Sequence, residues 1–277
     1  VANRRKPRTI LTAPRRGVAE RRRIEPTLDF DDLVYGIHAV GEALVAGEAL
    51  RVIHVAADRK KDGVLRSLLA QAEERNIRVR FEQRNFFERV PFKGHQGIVA
   101  IAPPFEYASL PELLARRRDG AARLIVVLDH LTDPHNVGAI IRTAEAAGAD
   151  GIVLPSRRAA GVNATVRKAA AGAAAHLPIA RVANIADAIR VMKKARIWVV
   201  GADASPEAID FVTADFNRDL ALVIGAEDSG LSALIKRECD YLVRLPMRGR
   251  VASLNASVAA AILIYEALRQ RERSLRP

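Results

Sequence analysis

The chain has 277 residues, 49% of them hydrophobic and 27% charged, which is enough for one large or two modest domains with a sizeable core. Its single cysteine, Cys239, excludes an internal disulfide framework and suits a reducing cytoplasm, and no apolar run reaches the ~20 residues that span a bilayer. The net charge of +12 points to nucleic acid, but residues 1–24 hold nine Lys/Arg against Glu20, residues 269–277 hold four Arg against Glu272, and residues 25–268 keep only +1.

Residues 1–31 read as a basic tail with few apolar residues and two prolines, Pro7 and Pro14, a composition that predicts disorder and phosphate contact without sequence readout. An Arg-rich transit segment and a solvated tail without a role share that composition. A first domain is predicted over 32–102. It has amphipathic helices at Val40–Ala46 and Val64–Ala72 and strands at Val52–Ala56, Ile77–Phe81 and Ile98–Ile101, a small alternating α/β unit. Pro103-Pro104 ends the last strand, and 103–123 reads as a linker. Within it Ser109-Leu110-Pro111-Glu112 has capping-box spacing and predicts a short helix over Pro111–Arg117. Arg116-Arg117-Arg118 is either a phosphate contact or a solvated face.

A second domain is predicted over 124–271, followed by a basic tail at 272–277. Apolar strands at Leu124–Leu128, Ile152–Leu154, Pro178–Arg181, Ile197–Gly201, Leu220–Ile224 and Tyr241–Leu245 alternate with helices at Val137–Ala147, Ile185–Lys193, Leu231–Arg237 and Ala256–Leu268. That alternation predicts an α/β fold with a mostly parallel sheet. The Ala169–Ala175 run consists of strong helix formers whose small side chains predict close packing. Val258–Ile264 is apolar all round, so the last helix should be buried on every face.

Three of the strands run into polar clusters: Asn136-Val137-Gly138 with Arg142, then Gly225-Ala226-Glu227, then Pro246-Met247 leading to Ser253-Leu254-Asn255-Ala256-Ser257. Ligands on open α/β sheets gather outside the carboxyl ends of the strands, so the three clusters predict one site. The residues leave their roles open. Asn136 stands where a helix N-cap would, Asn255 could cap the last helix, and Arg142 is either an anion anchor or an ion pair with Glu145. Gly225 permits close backbone approach. No Gly-x-Gly-x-x-Gly follows a strand, no His/Cys cluster has metal-ligand spacing, and Ser253 and Ser257 lack a nucleophile elbow. No metal is expected.

These clusters resemble, in order and separation, the three motifs of the SpoU (TrmH-like) RNA ribose 2'-O-methyltransferases. Thr132-Asp133-Pro134-His135, Asn163-Ala164-Thr165 with Lys168 and Gly172, Tyr35-Gly36-Ile37-His38 and His95-Gln96-Gly97-Ile98 extend the resemblance over roughly residues 33–271. The likeness is greatest to bacterial members that methylate a guanosine ribose in 23S rRNA. It implies a SPOUT-type α/β domain with a C-terminal trefoil knot, preceded by a small L30-like domain that binds substrate RNA. It also implies a homodimer, with knot and partner covering the last helix, and no membrane association. S-adenosylmethionine (SAM) is the implied cofactor, held by Gly225, Leu245 and Leu254, with Asn136, Arg142, Glu227, Ser253 and Asn255 as the catalytic set. A guanidinium stays protonated in proteins, so Arg142 is expected to stabilise the developing 2'-alkoxide or orient the adjacent phosphate rather than act as a base. Asp228, Arg248 and Arg250 depart from the family pattern. Two other readings remain: the same chemistry on a tRNA or another rRNA site, and a catalytically silent RNA-binding factor for ribosome assembly.

Overall fold

The computed structural model describes residues 30–116, 122–227 and 229–274. Residues 1–29 of the predicted N-terminal tail, Arg117, Arg118, Asp228 and the last residues of the C-terminal tail lie outside them.

In the first domain, strands β1 (Leu33–Tyr35), β2 (Val52–Ala56), β3 (Arg78–Glu82) and β4 (Ile98–Ile101) form a sheet of order β1-β4-β2-β3. β4 is antiparallel to both neighbours, whereas β2 and β3 are parallel. Helices α1 (Ile37–Val45) and α2 (Gly63–Glu74) cover one face, where Val40, Leu44, Leu65 and Leu68 pack on Ile53, Val55, Ile98 and Ala100. The Asp62 side chain starts α2 by accepting from Leu65 N at 2.8 Å. A short helix α3 (Arg84–Glu88) follows β3 and lays Phe87 against the other face, where Leu33, Tyr35 and Val99 meet Ala164 of the second domain. β1 and α3 are absent from the sequence reading because segments of three and five residues carry no period.

The predicted linker belongs to the second domain's edge. Ala108 N donates to Ile179 O at 2.9 Å, and Leu113 of helix α4 (Leu110–Ala115) is 1% exposed. The capping box forms in both directions, Ser109 N to Glu112 Oε2 at 2.7 Å and Glu112 N to Ser109 Oγ at 3.3 Å. The helix stops at Ala115, ahead of the predicted Arg117, because Arg116 is extended.

The rest of the domain runs β5 (Leu124–Leu128), α5 (Pro134–Ala146), β6 (Gly151–Pro155), α6 (Ala164–Ala170), β7 (Ile179–Val182), α7 (Ile185–Lys194), β8 (Trp198–Ala202), β9 (Ile209–Asp210), β10 (Leu220–Ile224), α8 (Ala233–Glu238), β11 (Tyr241–Arg244) and α9 (Ala256–Ser274). The sheet order is β7-β6-β5-β10-β8-β11-β9, and every pairing is parallel. All residues of β5 and β10 are buried, as their unbroken apolar runs require of strands covered on both faces. Residues of α5, α6 and α9 form the core on one face, and residues of α4, α7 and α8 form it on the other.

One sequence expectation holds here and one changes. The Ala169–Ala175 run packs closely, but it is not one helix. Ala171 (φ 49°) and Gly172 (φ 91°) end α6, and a Cβ on Gly172 would lie 2.4 Å from Cβ of Glu42 in α1. The domains press together at that point, and the buried Arg167 adds an ion pair to Glu48 at 2.8 Å. Nor is α9 buried all round. Ala260, Leu263, Ile264 and Ala267 are enclosed, whereas Val258, Ile262 and Tyr265 are 47%, 37% and 49% exposed in the single chain. One face of the helix lies on α5 and β10 and leaves the opposite face open. The arginines at the end of α9 are also less free than their charge suggests. Arg269 pairs with Glu266 at 2.6 Å, and Arg271 donates to the carbonyls of Ala122, Arg123 and Arg218 at 2.9, 2.7 and 3.0 Å. Among the described residues, no helix is long and apolar enough to cross a membrane.

Candidate active site

The carboxyl ends of β8, β10 and β11 open into one cleft of about 460 Å³. Its walls are Ala202–Ser205 after β8, Ile224–Glu227 after β10, and Arg244, Leu245 and Met247 after β11, with Ala252–Leu254 at the rim and Ala256, Ala259 and Leu263 of α9 behind. Gly225, Leu245, Leu254, Glu227 and Ser253 of the expected set thus line the same space. Gly225 has a stringent steric reason to be glycine. A Cβ there would lie 2.3 Å from the carbonyl carbon of Gly230 and 2.5 Å from its oxygen, so the turn closes backbone on backbone.

A single carboxylate joins the three polar clusters. α5 is capped by Asp133, which accepts from His135 N at 2.9 Å, with Pro134 in the first turn. Asn136 is therefore inside the helix and not its cap, and its 6% exposed side chain is free to reach across the site. Its Nδ2 donates to Asp133 Oδ2 at 3.0 Å and to Glu227 Oε1 at 2.6 Å. Asn255 Nδ2 donates to the same Glu227 oxygen at 2.6 Å and to Asn136 Oδ1 at 3.0 Å. Asn255 also opens α9, its Oδ1 accepting from Ser257 N at 2.9 Å, Ser257 Oγ at 2.6 Å and Val258 N at 3.3 Å. The cap expected of Asn255 therefore forms, and the same side chain joins Glu227 and Asn136.

Arg142 stands apart from this network. It follows Asn136 by six residues, about 9 Å along the helix axis and a third of a turn out of phase. It is exposed, does not line the cleft, and its side chain makes no hydrogen bond or ion pair among the described residues, so the Glu145 pair does not form. Arg248 and Arg250 are exposed on the loop after β11, also without partners among the described residues. No group of three His, Cys, Asp or Glu suited to a metal occurs among the described residues.

Sequence reasoning missed a fourth strand end. Asp203, directly after β8, lines the cleft, pairs with Lys236 at 2.8 Å and accepts from Ser205 N at 2.9 Å. Burial works to raise its pKa, but the bonds from Lys236 and Ser205 outweigh it and hold the carboxyl below its usual value. The available signal was its position immediately after the apolar run 197–202. Asp133 was quoted only as part of a motif, although Asp-Pro ahead of an apolar periodic segment marks a helix start.

Comparison with known proteins bears on this geometry. The SpoU rRNA Methylase family model matches residues 123–265, and the model for RNA 2'-O ribose methyltransferase substrate binding matches residues 33–108. A Bacillus subtilis protein assigned to the TrmH family of tRNA/rRNA methyltransferases, YacO, is 44% identical over 241 residues, covering 87% of this chain and 96% of that protein. The SpoU methyltransferase AviRb of Streptomyces viridochromogenes superposes with a TM-score of 0.73 at 29% identity, over 88% of this chain and 91% of AviRb. An rRNA methyltransferase of Sinorhizobium meliloti with AdoMet (SAM) bound superposes with a TM-score of 0.70 at 29% identity, covering 86% of each chain.

Proposed function

The chain belongs to the SpoU rRNA Methylase family of SAM-dependent RNA methyltransferases, and on that premise we propose that it methylates the ribose 2'-hydroxyl of a guanosine in 23S rRNA. The observation that carries this reading is the junction of Asn136, Glu227 and Asn255 at the mouth of a cofactor-sized cleft.

The cleft fits SAM on this chain's own terms. Its volume lies in the range of small-molecule sites, its walls at Leu245, Met247, Leu254 and Leu263 are apolar, and Gly225 leaves main chain rather than a side chain facing the space. Bound there, SAM supplies a methyl group on a cationic sulfonium. Gly225, Leu245 and Leu254 hold the cofactor, and the Glu227 network fixes the rim at which the ribose must arrive. Orientation of this kind supplies several kcal/mol of a transfer barrier, about 7–11 in ideal cases. The exposed Arg142 guanidinium stabilises the 2'-oxygen as charge develops on it, or holds the neighbouring phosphate, once RNA is bound. Ser253 is the polar group at the rim nearest in sequence to Asn255.

Three structural readings accompany this function. The first domain is taken as L30-like and as the RNA substrate-binding unit, in line with the matched substrate-binding model. For the C-terminal trefoil knot the support is the interior position of β10 between β5 and β8 and the packing of α9 on α5 and β10. A homodimer is supported by the Val258, Ile262 and Tyr265 stripe, which recurs at helical spacing and remains open in one chain.

The deciding experiment incubates the protein and labelled SAM with rRNA and tRNA from cells lacking the enzyme, followed by mapping of the product by mass spectrometry. The expected product is one 2'-O-methylguanosine in 23S rRNA. Methylation of a base, or no transfer, overturns the reaction. Labelled tRNA favours the second reading, which the tRNA/rRNA naming of the Bacillus relative keeps in view.

A further inference from the structure

A second cleft, of about 450 Å³, lies on the first domain, away from the Glu227 network. The β2–β3 register places Val52 beside Arg78 and His54 beside Arg80. Side chains two apart share a face of a strand, so both arginines emerge on the face that carries His54. Arg51, just before β2, and Arg89, just after α3, bring the guanidiniums lining the cleft to four, with Glu82 as its one carboxylate. All four arginines are exposed, and none makes a side-chain hydrogen bond or ion pair among the described residues.

His54 forms the floor. Its side chain is 6% exposed, its ring stacks on Phe86 with centroids 4.5 Å apart, and its Nδ1 lies 2.9 Å from Glu82 Oε1. Nε2 is buried and has no hydrogen-bond partner. Four unpaired cations held together on a rigid sheet, in a protein whose body is nearly neutral, repel one another unless an anion joins them. Arginine forks match phosphate oxygens in pairs, and a cleft of this size takes a nucleotide rather than a lone ion.

We propose that this cleft is a docking site for the RNA strand, with Arg51, Arg78, Arg80 and Arg89 seating its phosphates over the His54–Phe86 floor. The inference rests on the reading of the first domain as the RNA-binding unit and adds to it which face and which side chains hold the strand. Position without base readout is the expected outcome of such contacts, so this surface contributes affinity and orientation while the second domain performs the chemistry.

The test uses the full-length protein and an RNA fragment carrying the methylated position, with binding followed by fluorescence anisotropy through a salt titration. The variants are Arg78→Ala/Arg80→Ala and Arg51→Ala/Arg89→Ala, with Arg78→Lys/Arg80→Lys keeping the charge. Each phosphate contact contributes about 0.7–0.9 to the slope of log K against log salt, so each alanine pair should lower the slope by about 1.4–1.8 and weaken binding at least about tenfold. The lysine pair should keep most of the slope. SAM affinity and melting temperature should stay at wild-type values, because these side chains are exposed and far from the other cleft. Unchanged RNA affinity and slope in both alanine pairs overturn the proposal, as does loss of affinity for an acidic peptide with RNA binding intact. A wild-type protein that binds RNA through these arginines but methylates none of it would sink the enzymatic reading and leave the docking site standing.

Discussion

Asn255 performs two jobs that a single atom exchange separates. Its Oδ1 caps α9, and its Nδ2 holds Glu227 Oε1 at 2.6 Å. Asn255→Asp keeps an acceptor at the helix start, where an anion is worth an additional ~0.3–1 kcal/mol. It also turns the 2.6 Å contact into carboxylate against carboxylate. Losing one hydrogen bond to a charged group costs about 1.5–3 kcal/mol, near the lower end here because both residues are exposed. Coulomb repulsion at that separation adds about 1.6 kcal/mol at a water-like dielectric and more in a drier one. The expected net loss is about 2–3 kcal/mol, or roughly 4–12 °C in melting temperature for a domain of this size. Asn255→Ala loses a similar amount for another reason, since both the cap (about 1 kcal/mol) and the Glu227 bond disappear. Melts at low and high salt distinguish the two. The aspartate deficit should shrink with added salt, while the alanine deficit should not. An Asn255→Asp protein that melts at or above wild type would refute the claim that the Asn255 amide holds Glu227 in place.

Other predictions test single links. Arg142→Ala should leave SAM affinity unchanged by calorimetry and lower transfer by about 10²–10³, the usual effect of losing one oxyanion-stabilising donor; loss of SAM binding would mean that its role is misassigned. Gly225→Ala forces a Cβ to 2.3 Å from Gly230, and overpacking of about 1–3 kcal/mol should weaken SAM about ten- to hundredfold; unaltered affinity would show that the turn is soft. Glu48→Ala strands the buried Arg167 between Pro103 O and the Phe105 ring and should cost about 3 kcal/mol in urea unfolding, with less than about 1 kcal/mol counting against a stabilising domain junction. Burial and the neighbouring Asp240 push the Cys239 thiol up to about 12, so iodoacetamide at neutral pH should modify it only after unfolding.

The core of the second domain was legible because its strands are unbroken apolar runs. Leu124–Leu128 and Leu220–Ile224 announce burial on both faces without further help. The polar cluster after Leu220–Ile224 lines the cleft, and the one after Leu124–Leu128 reaches it only through the bond from Asn136 to Glu227, since a parallel sheet brings successive strand ends to one edge. The Arg78–Val79–Arg80 alternation was equally plain but was read only as part of a strand. Its meaning depended on β2 and α3 bringing Arg51 and Arg89 to the same face. The two readings of α9 show the opposite limit. A helix apolar all round demands cover, but hydropathy does not say which face the sheet takes and which is left for another surface.

Local chemistry by itself determined the parallel sheet, the capping box at Ser109, the glycine at 225 and the positions of the three polar clusters. Each follows from a residue's own preferences or from a period within one segment. Tertiary structure alone decided that Asn136 is not a cap, that Asp203 joins the cleft, that Arg271 braces carbonyls rather than RNA, and that one oxygen of Glu227 binds residues 91 positions before it and 28 after it. Those facts depend on which segments cross in space, and sequence spacing carries no record of a crossing until the chain has folded.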